Sequence, residues 1–234
     1  RGIPAAVPRH YDMKKIWAIF LKDLRIELRT KDAFNSMLFF GVVVLVVFSF
    51  ALESVRETIR SAVPGILWAA FAFTGTLGLN RTFAAEKENS CLQGLLLVPV
   101  DRGVIYLGKM LATAVFMLLS EIVIFVFALV FFNLTVSKEI PALALVFVTG
   151  TLGFASVGTL LSAIAVNTRM REALLPLILF PVALPVLINA VEATAIILNA
   201  GDSGALKLPL TVLSVFTVVF ATVSFLLFEH VLED

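Results

Sequence analysis

Residues 81–109 read RTFAAEKENSCLQGLLLVPVDRGVIYLGK. The first half carries both signs of charge, in Arg81, Glu86, Lys87 and Glu88, with Asn89 beside them. Leu92, Leu95, Leu96, Leu97 and Val98 follow, Pro99 stops the run, and Asp101, Arg102 and Lys109 lead into the next apolar stretch. Hydrocarbon does not accept so many charges, yet Leu92, Leu95 and Leu96 fall at the spacing of one helix face. Two readings stand: a short amphipathic helix on a membrane surface, where a soluble partner could push on it, and a solvated connector. On either reading the segment separates long apolar runs, and that makes the chain a polytopic, all-α membrane protein.

Composition agrees. Of 234 residues, 60% are hydrophobic, and the mean hydropathy is +1.02, well above a soluble domain. The net charge of +1 gives no reason to expect nucleic acid as a partner. A single cysteine, Cys91, forbids an internal disulfide, and no zinc or haem-attachment spacing occurs. His10 and His230 sit near the termini, which argues against a His-rich metal centre within one chain.

Working outward, residues 1–12 hold Pro4 and Pro8, show no periodicity, and read as a tag remnant or unstructured extension. No short apolar core ends in a small-residue cleavage site, so the first span is expected to direct its own insertion. Residues 13–33 predict an interfacial helix: Trp17, Phe20, Leu21, Leu24 and Leu28 recur at helical spacing, with Lys15, Lys22, Arg25 and Arg29 on other faces. A basic helix with Trp and Phe on its apolar side lies at the headgroup boundary.

Residues 34–234 predict a six-helix transmembrane domain, with a cytoplasmic coupling loop at 81–109. The expected spans are Phe34–Leu52, Ala62–Leu79, Met110–Phe132, Pro141–Val166, Ala173–Leu198 and Leu208–Phe228, each near the ~20 residues a bilayer requires. They are too long for barrel strands and do not alternate. With the N-terminus inside, only Arg56, Arg60, Lys138 and Lys207 of the 18 Lys and Arg fall outside, so both termini are expected in the cytoplasm.

Within the spans, Thr151, Ala155, Thr159 and Ala163 recur four apart beside Gly150, Gly153 and Gly158, the pattern of close helix packing, within the chain or between two copies. Pro176, Pro181 and Pro185 each remove a backbone donor and predict a kink or break in the fifth span, movable or passive. Glu121 sits in mid-span, where a carboxyl group must be protonated, paired or wet; a cavity, a subunit interface and a bond to a neighbouring helix all fit. Glu192 and Asn189 are expected to face water or a shallow vestibule. No GxxxxGK[ST], HExxH or nucleophile elbow is present, so the chain reads as a non-enzyme that borrows energy from a separate subunit.

The interfacial helix, six spans and amphipathic loop after the second span resemble the membrane subunit of an ABC-2 type exporter. More narrowly, the chain resembles heme exporter protein B, the CcmB family of bacterial cytochrome c maturation. The carriers are Val63-Pro64-Gly65-Ile66-Leu67-Trp68, Leu92 to Pro99 followed by Leu107-Gly108-Lys109, Leu152-Gly153-Phe154, and the run from Leu179 through Phe180, Pro181 and Pro185 to Ile188. Ser90, Gln93 and Asn80 depart from the residues usual in the family. The resemblance implies a bacterial inner-membrane protein in which two copies bind a cytoplasmic ABC ATPase that carries the ATP. A haem-handling membrane subunit, a small membrane subunit and a periplasmic haem chaperone complete the set. Haem is then a substrate of the complex, delivered directly or through release of the loaded chaperone. No cofactor is expected on this chain, because no His or Cys lies inside a span. Two alternatives stand: an ABC-2 exporter subunit for a lipid, drug or other apolar substrate, and a non-transporting membrane scaffold. For ATPase coupling the expected anchors are Leu92, Leu95, Leu96 and Pro99, with Glu86, Lys87, Glu88 and Arg102 setting register. Trp17, Phe20, Leu24 and Arg25 brace the assembly at the interface.

Overall fold

A computed structural model describes residues 13–52, 56–83, 101–134, 140–166, 168, 170–199 and 204–231. These form α1 (Met13–Thr30), α2 (Asp32–Ala51), α3 (Arg56–Arg81), α4 (Arg102–Phe131), α5 (Ile140–Ala165), α6 (Arg171–Leu198) and α7 (Lys207–Val231), with no strand among the described residues. Six of the helices, α2 to α7, are long and apolar enough to cross a bilayer. The chain is a polytopic α-helical membrane protein. Residues 1–12 and most of the polar segment at 81–109 lie outside the described residues.

Two expectations are corrected. Residues 102–109, read as the end of the loop, are the first two turns of α4. Gly103, Gly108 and Lys109 dilute the hydropathy there, but Asp101 caps the helix, its Oδ1 accepting from Gly103 N at 2.9 Å. Val104, Ile105 and Tyr106 are buried by neighbouring helices. The second concerns the prolines: of the kink or break expected, the break does not occur, since α6 runs as one helix through Pro176, Pro181 and Pro185. Pro185 and Pro181 lie on its exposed side, while Leu175, Leu179, Ala183, Val186 and Ala190 hold the opposite side in the core. Packing along that buried stripe carries the helix past the missing donors.

Between α1 and α2 the chain turns through Lys31, whose φ of 58° lies in the left-handed region. Such a residue costs on the order of 1 kcal/mol. Three bonds offset it: Lys31 N donates to Glu27 O at 2.7 Å, Asn35 N to Lys31 O at 2.9 Å, and Phe34 N to Glu27 Oε1 at 2.9 Å. The turn is therefore a defined elbow.

At the centre of the bundle, α5 touches α3, α4, α6 and α7. Its small residues serve this packing within the chain: Gly150, Thr151, Gly153, Ala155, Gly158, Thr159 and Ala163 are all buried. A Cβ on Gly150 would run into the indole of Trp68, and one on Gly158 into the side chain of Leu79. Trp68, Phe71 and Phe147 form an edge-to-face cluster with centroids 5.2–6.0 Å apart. The Trp68 indole N–H donates to Thr194 Oγ1 at 2.9 Å, tying α3 to α6. Outside, Phe39, Val47 and Phe50 of α2 and Val215, Val218 and Leu226 of α7 are exposed, the surface a bilayer-embedded bundle presents to acyl chains.

Close approach at Gly150 has a measurable consequence. Gly150→Val overpacks against Trp68 and is expected to cost about 1–3 kcal/mol, seen as earlier thermal unfolding in detergent. Gly65, with open space beside it, is the control: Gly65→Ala should leave the transition unchanged or raise it. Equal transitions in the two variants would contradict the packing assigned to α5.

Candidate site at the two ends of the charged segment

Glu86, Lys87, Glu88, Leu92, Leu95, Leu96 and Pro99 lie outside the described residues. The segment's two attachment points, Phe83 and Asp101, are described, and both are held firmly.

On the Phe83 side, α3 ends in a knot with α1 and α4. Lys109, on the third turn of α4, is 1% exposed. Its ammonium donates to Thr82 O at 3.0 Å and to Asp23 Oδ2 of α1 at 3.3 Å, and it lies 4.7 Å from the centre of the Phe83 ring. The carbonyl sits just past the C-terminus of α3, where the helix dipole favours a cation. The ring face adds a further attraction. Asp23 shares its other oxygen with Lys22 at 3.0 Å. A hydroxyl contact of 3.1 Å joins Thr82 to Thr113 of α4. Phe83 itself is fully buried, with its ring 6.1 Å from that of Phe228 on α7.

On the Asp101 side, the cap of α4 is followed at once by Arg102, whose Nη1 donates to Glu229 O at 2.8 Å and so ties the start of α4 to the end of α7. One turn on, Tyr106 is buried and its hydroxyl donates to Ser156 O of α5 at 2.9 Å. Ser162 Oγ of α5 donates to Leu79 O of α3 at 2.6 Å. The ends of α3, α5 and α7 and the start of α4 are thus cross-linked on the α1 side of the bundle. Arg102 is the one expected coupling residue among those described, and its guanidinium is engaged within the chain.

The residues of α1 divide between two surfaces. Ile16 and Phe20 are buried and Ile19 packs at Gly108 of α4. Trp17 is 58% exposed and stacks on Phe20 with ring centroids 4.8 Å apart; Leu24 is half-buried and Arg25 exposed. The sequence reading placed Trp17 and Phe20 on one membrane-facing side; in the structure Phe20 turns inward with Ile16, and Trp17 and Leu28 remain outside.

Glu121 is 1% exposed, and the Thr151 hydroxyl of α5 lies 2.8 and 2.7 Å from its two carboxyl oxygens. Of the roles open to it, the bond to a neighbouring helix is the one the structure displays. Glu192 is exposed and Asn189 half-buried, its Nδ2 donating to Pro185 O at 2.8 Å. Among the described residues, no three His, Cys, Asp or Glu side chains gather as metal ligands.

Sequence reasoning missed Lys109 and Asp23 as a pair. Lys109 reads as a flanking cation at a span boundary. The available signal was Asp23, a lone aspartate amid the basic residues of an amphipathic helix.

Comparison with known proteins places this arrangement. The family model described as CcmB protein matches residues 14–233. Heme exporter protein B of Rhodobacter capsulatus is 27% identical over 86% of this chain and 90% of its own length. The Paracoccus denitrificans protein of the same name is 28% identical over 80% of this chain and 84% of its own. That of Pseudomonas aeruginosa is 24% identical over 75% and 79%. With the match running from the second residue of α1 to beyond the end of α7, the chain belongs to the CcmB protein family.

Proposed function

We propose that this chain is the membrane subunit of a haem-exporting ABC transporter that serves cytochrome c maturation, and that residues 84–100 receive the work of a separate ATPase. The relatives' printed name supports haem as the cargo of the complex. The observation that carries the coupling is the buried Lys109, which joins α1, the end of α3 and the start of α4 in one contact. A segment strung between Phe83 and Asp101 has no slack at its attachments. A push on it moves α3 and α4 together and takes α1 with them.

In this reading the α1 side of the bundle faces the cytoplasm of a bacterial inner membrane. Two copies pair, and each offers its Leu92, Leu95 and Leu96 to a groove on one ATPase subunit, with Glu86, Lys87, Glu88 and Pro99 setting the docking register. ATP-driven closure of the two ATPases rocks α3 and α4. The haem-handling membrane subunit, the small membrane subunit and the periplasmic chaperone take haem onward. Deeper in the bundle, polar contacts such as Glu121 with Thr151 tie neighbouring helices together, so in this reading the motion is a rigid-body one of whole helices rather than a rearrangement of the core.

Three variants separate docking from transmission. Leu95→Asp or Leu96→Asp should abolish co-purification of the ATPase while the chain still inserts; normal ATPase recovery with both would contradict the anchor assignment. Lys109→Met keeps the packing volume but removes the tie to Thr82 and Asp23, whose charge Lys22 still meets. The ATPase should then still co-purify while holo-cytochrome c falls about tenfold, the equivalent of 1.4 kcal/mol in coupling. Full maturation with Lys109→Met would remove Lys109 from the mechanism.

A further inference from the structure

On the α1 side, α1, α2, α3 and α4 leave a pocket of about 100 Å³ between them. Its charged groups lie at the mouth, and its deepest side chains are apolar. Asp23 and Glu27 come from the interfacial helix and Arg81 from the last turn of α3. Met37 and Phe116 line it about one helical turn further into the bundle, beyond the elbow of α2 and beyond Thr113 of α4. This gradient matches the change from headgroup to hydrocarbon at the edge of a bilayer. We propose that the pocket binds one phospholipid with a primary-amine headgroup, drawn from the leaflet on the α1 side.

Charge selects that class. Arg81 is exposed at the pocket and offers a planar fork of donors that suits a phosphodiester. Glu27 places a carboxyl group in the same lining, and Asp23 a second whose charge is already met by Lys22 and Lys109. A headgroup with a phosphate and an ammonium meets both signs. A purely anionic headgroup meets the Glu27 carboxyl group as like charge. A quaternary choline headgroup balances the charge but has no N–H to donate, whereas a primary ammonium carries three donors. The acyl chain then covers Met37 and Phe116 together with Ile26, which is 47% exposed in the bare pocket. A lipid seated there touches α1, both sides of the elbow and the end of α3, so it braces the interfacial helix against the bundle.

The test uses the purified full-length chain in mixed micelles that hold equal amounts of phosphatidylethanolamine, phosphatidylcholine and phosphatidylglycerol with the same acyl chains. Native mass spectrometry counts the lipid that survives transfer. The wild type should retain one phosphatidylethanolamine about tenfold more often than either competitor. Arg81→Gln and Glu27→Gln should each bring the ratios close to one. The amide in Glu27→Gln keeps an oxygen that accepts from Phe34 N, so the elbow survives. Equal retention of the three lipids by the wild type, or a preference for phosphatidylglycerol, overturns the proposal. So does a phosphatidylethanolamine preference that persists undiminished in both variants.

Discussion

A lysine ammonium taken out of water constrains this fold more than any other single contact. Lys109 is buried where three helices converge, and the interior accepts its charge only because Asp23, the Thr82 carbonyl and the Phe83 ring close around it. Taking away Asp23 would leave the buried ammonium without its carboxylate, a change that typically costs about 3–5 kcal/mol; Asp23, by contrast, keeps Lys22 when Lys109 is replaced. Each partner comes from a different place in the chain: Asp23 from α1, Thr82 and Phe83 from the end of α3, and Lys109 from α4. The contact thus sets where α1 docks, how far α3 extends and how deep α4 begins. A plain apolar contact would allow α1 to slide along the bundle; a desolvated cation specifies one register.

That constraint lies directly beside the charged segment that joins α3 to α4. The apolar bundle has few groups with which a soluble protein can be gripped, and in the proposed mechanism the charged residues between α3 and α4 are the handle. What the structure adds to the handle is stiffness at both roots. Arg102 reaches across to α7 on one side, and Thr82 joins Thr113 on the other. Further in, α5 packs its small residues against four helices. Close packing of this kind resists continuous deformation, so under the proposed mechanism a displacement at the handle would be passed on as movement of whole helices.

Much of the architecture was legible in the sequence because a bilayer imposes a length. Six apolar runs near the required span predict six helices, and each expected run falls largely inside an observed one. What the spacing leaves open is decided by contacts remote in sequence. Gly150 and Gly158 announce close packing, yet nothing local says that Trp68 and Leu79 fill the space. Glu121 stands out at once as a carboxyl in an apolar run, but its partner Thr151 is 30 residues away. Lys109 and Asp23 are 86 residues apart, and each looks like an ordinary interfacial charge by itself. The start of α4 was hidden for a related reason: its glycines and lysine lower the hydropathy, while helix α1 and residues of α5 supply the burial. At the prolines of α6 a local rule allows a kink or a break, and tertiary packing decides against the break.

Cys91, the only cysteine of the chain, lies in the segment between Phe83 and Asp101 and gives the most direct measurement. Inverted inner-membrane vesicles are treated with a membrane-impermeant maleimide, with the ATPase subunit present or stripped away. The account predicts that Cys91 is labelled in stripped vesicles and protected when the ATPase is bound. Labelling only from the opposite face, or equal labelling with and without the ATPase, would contradict it.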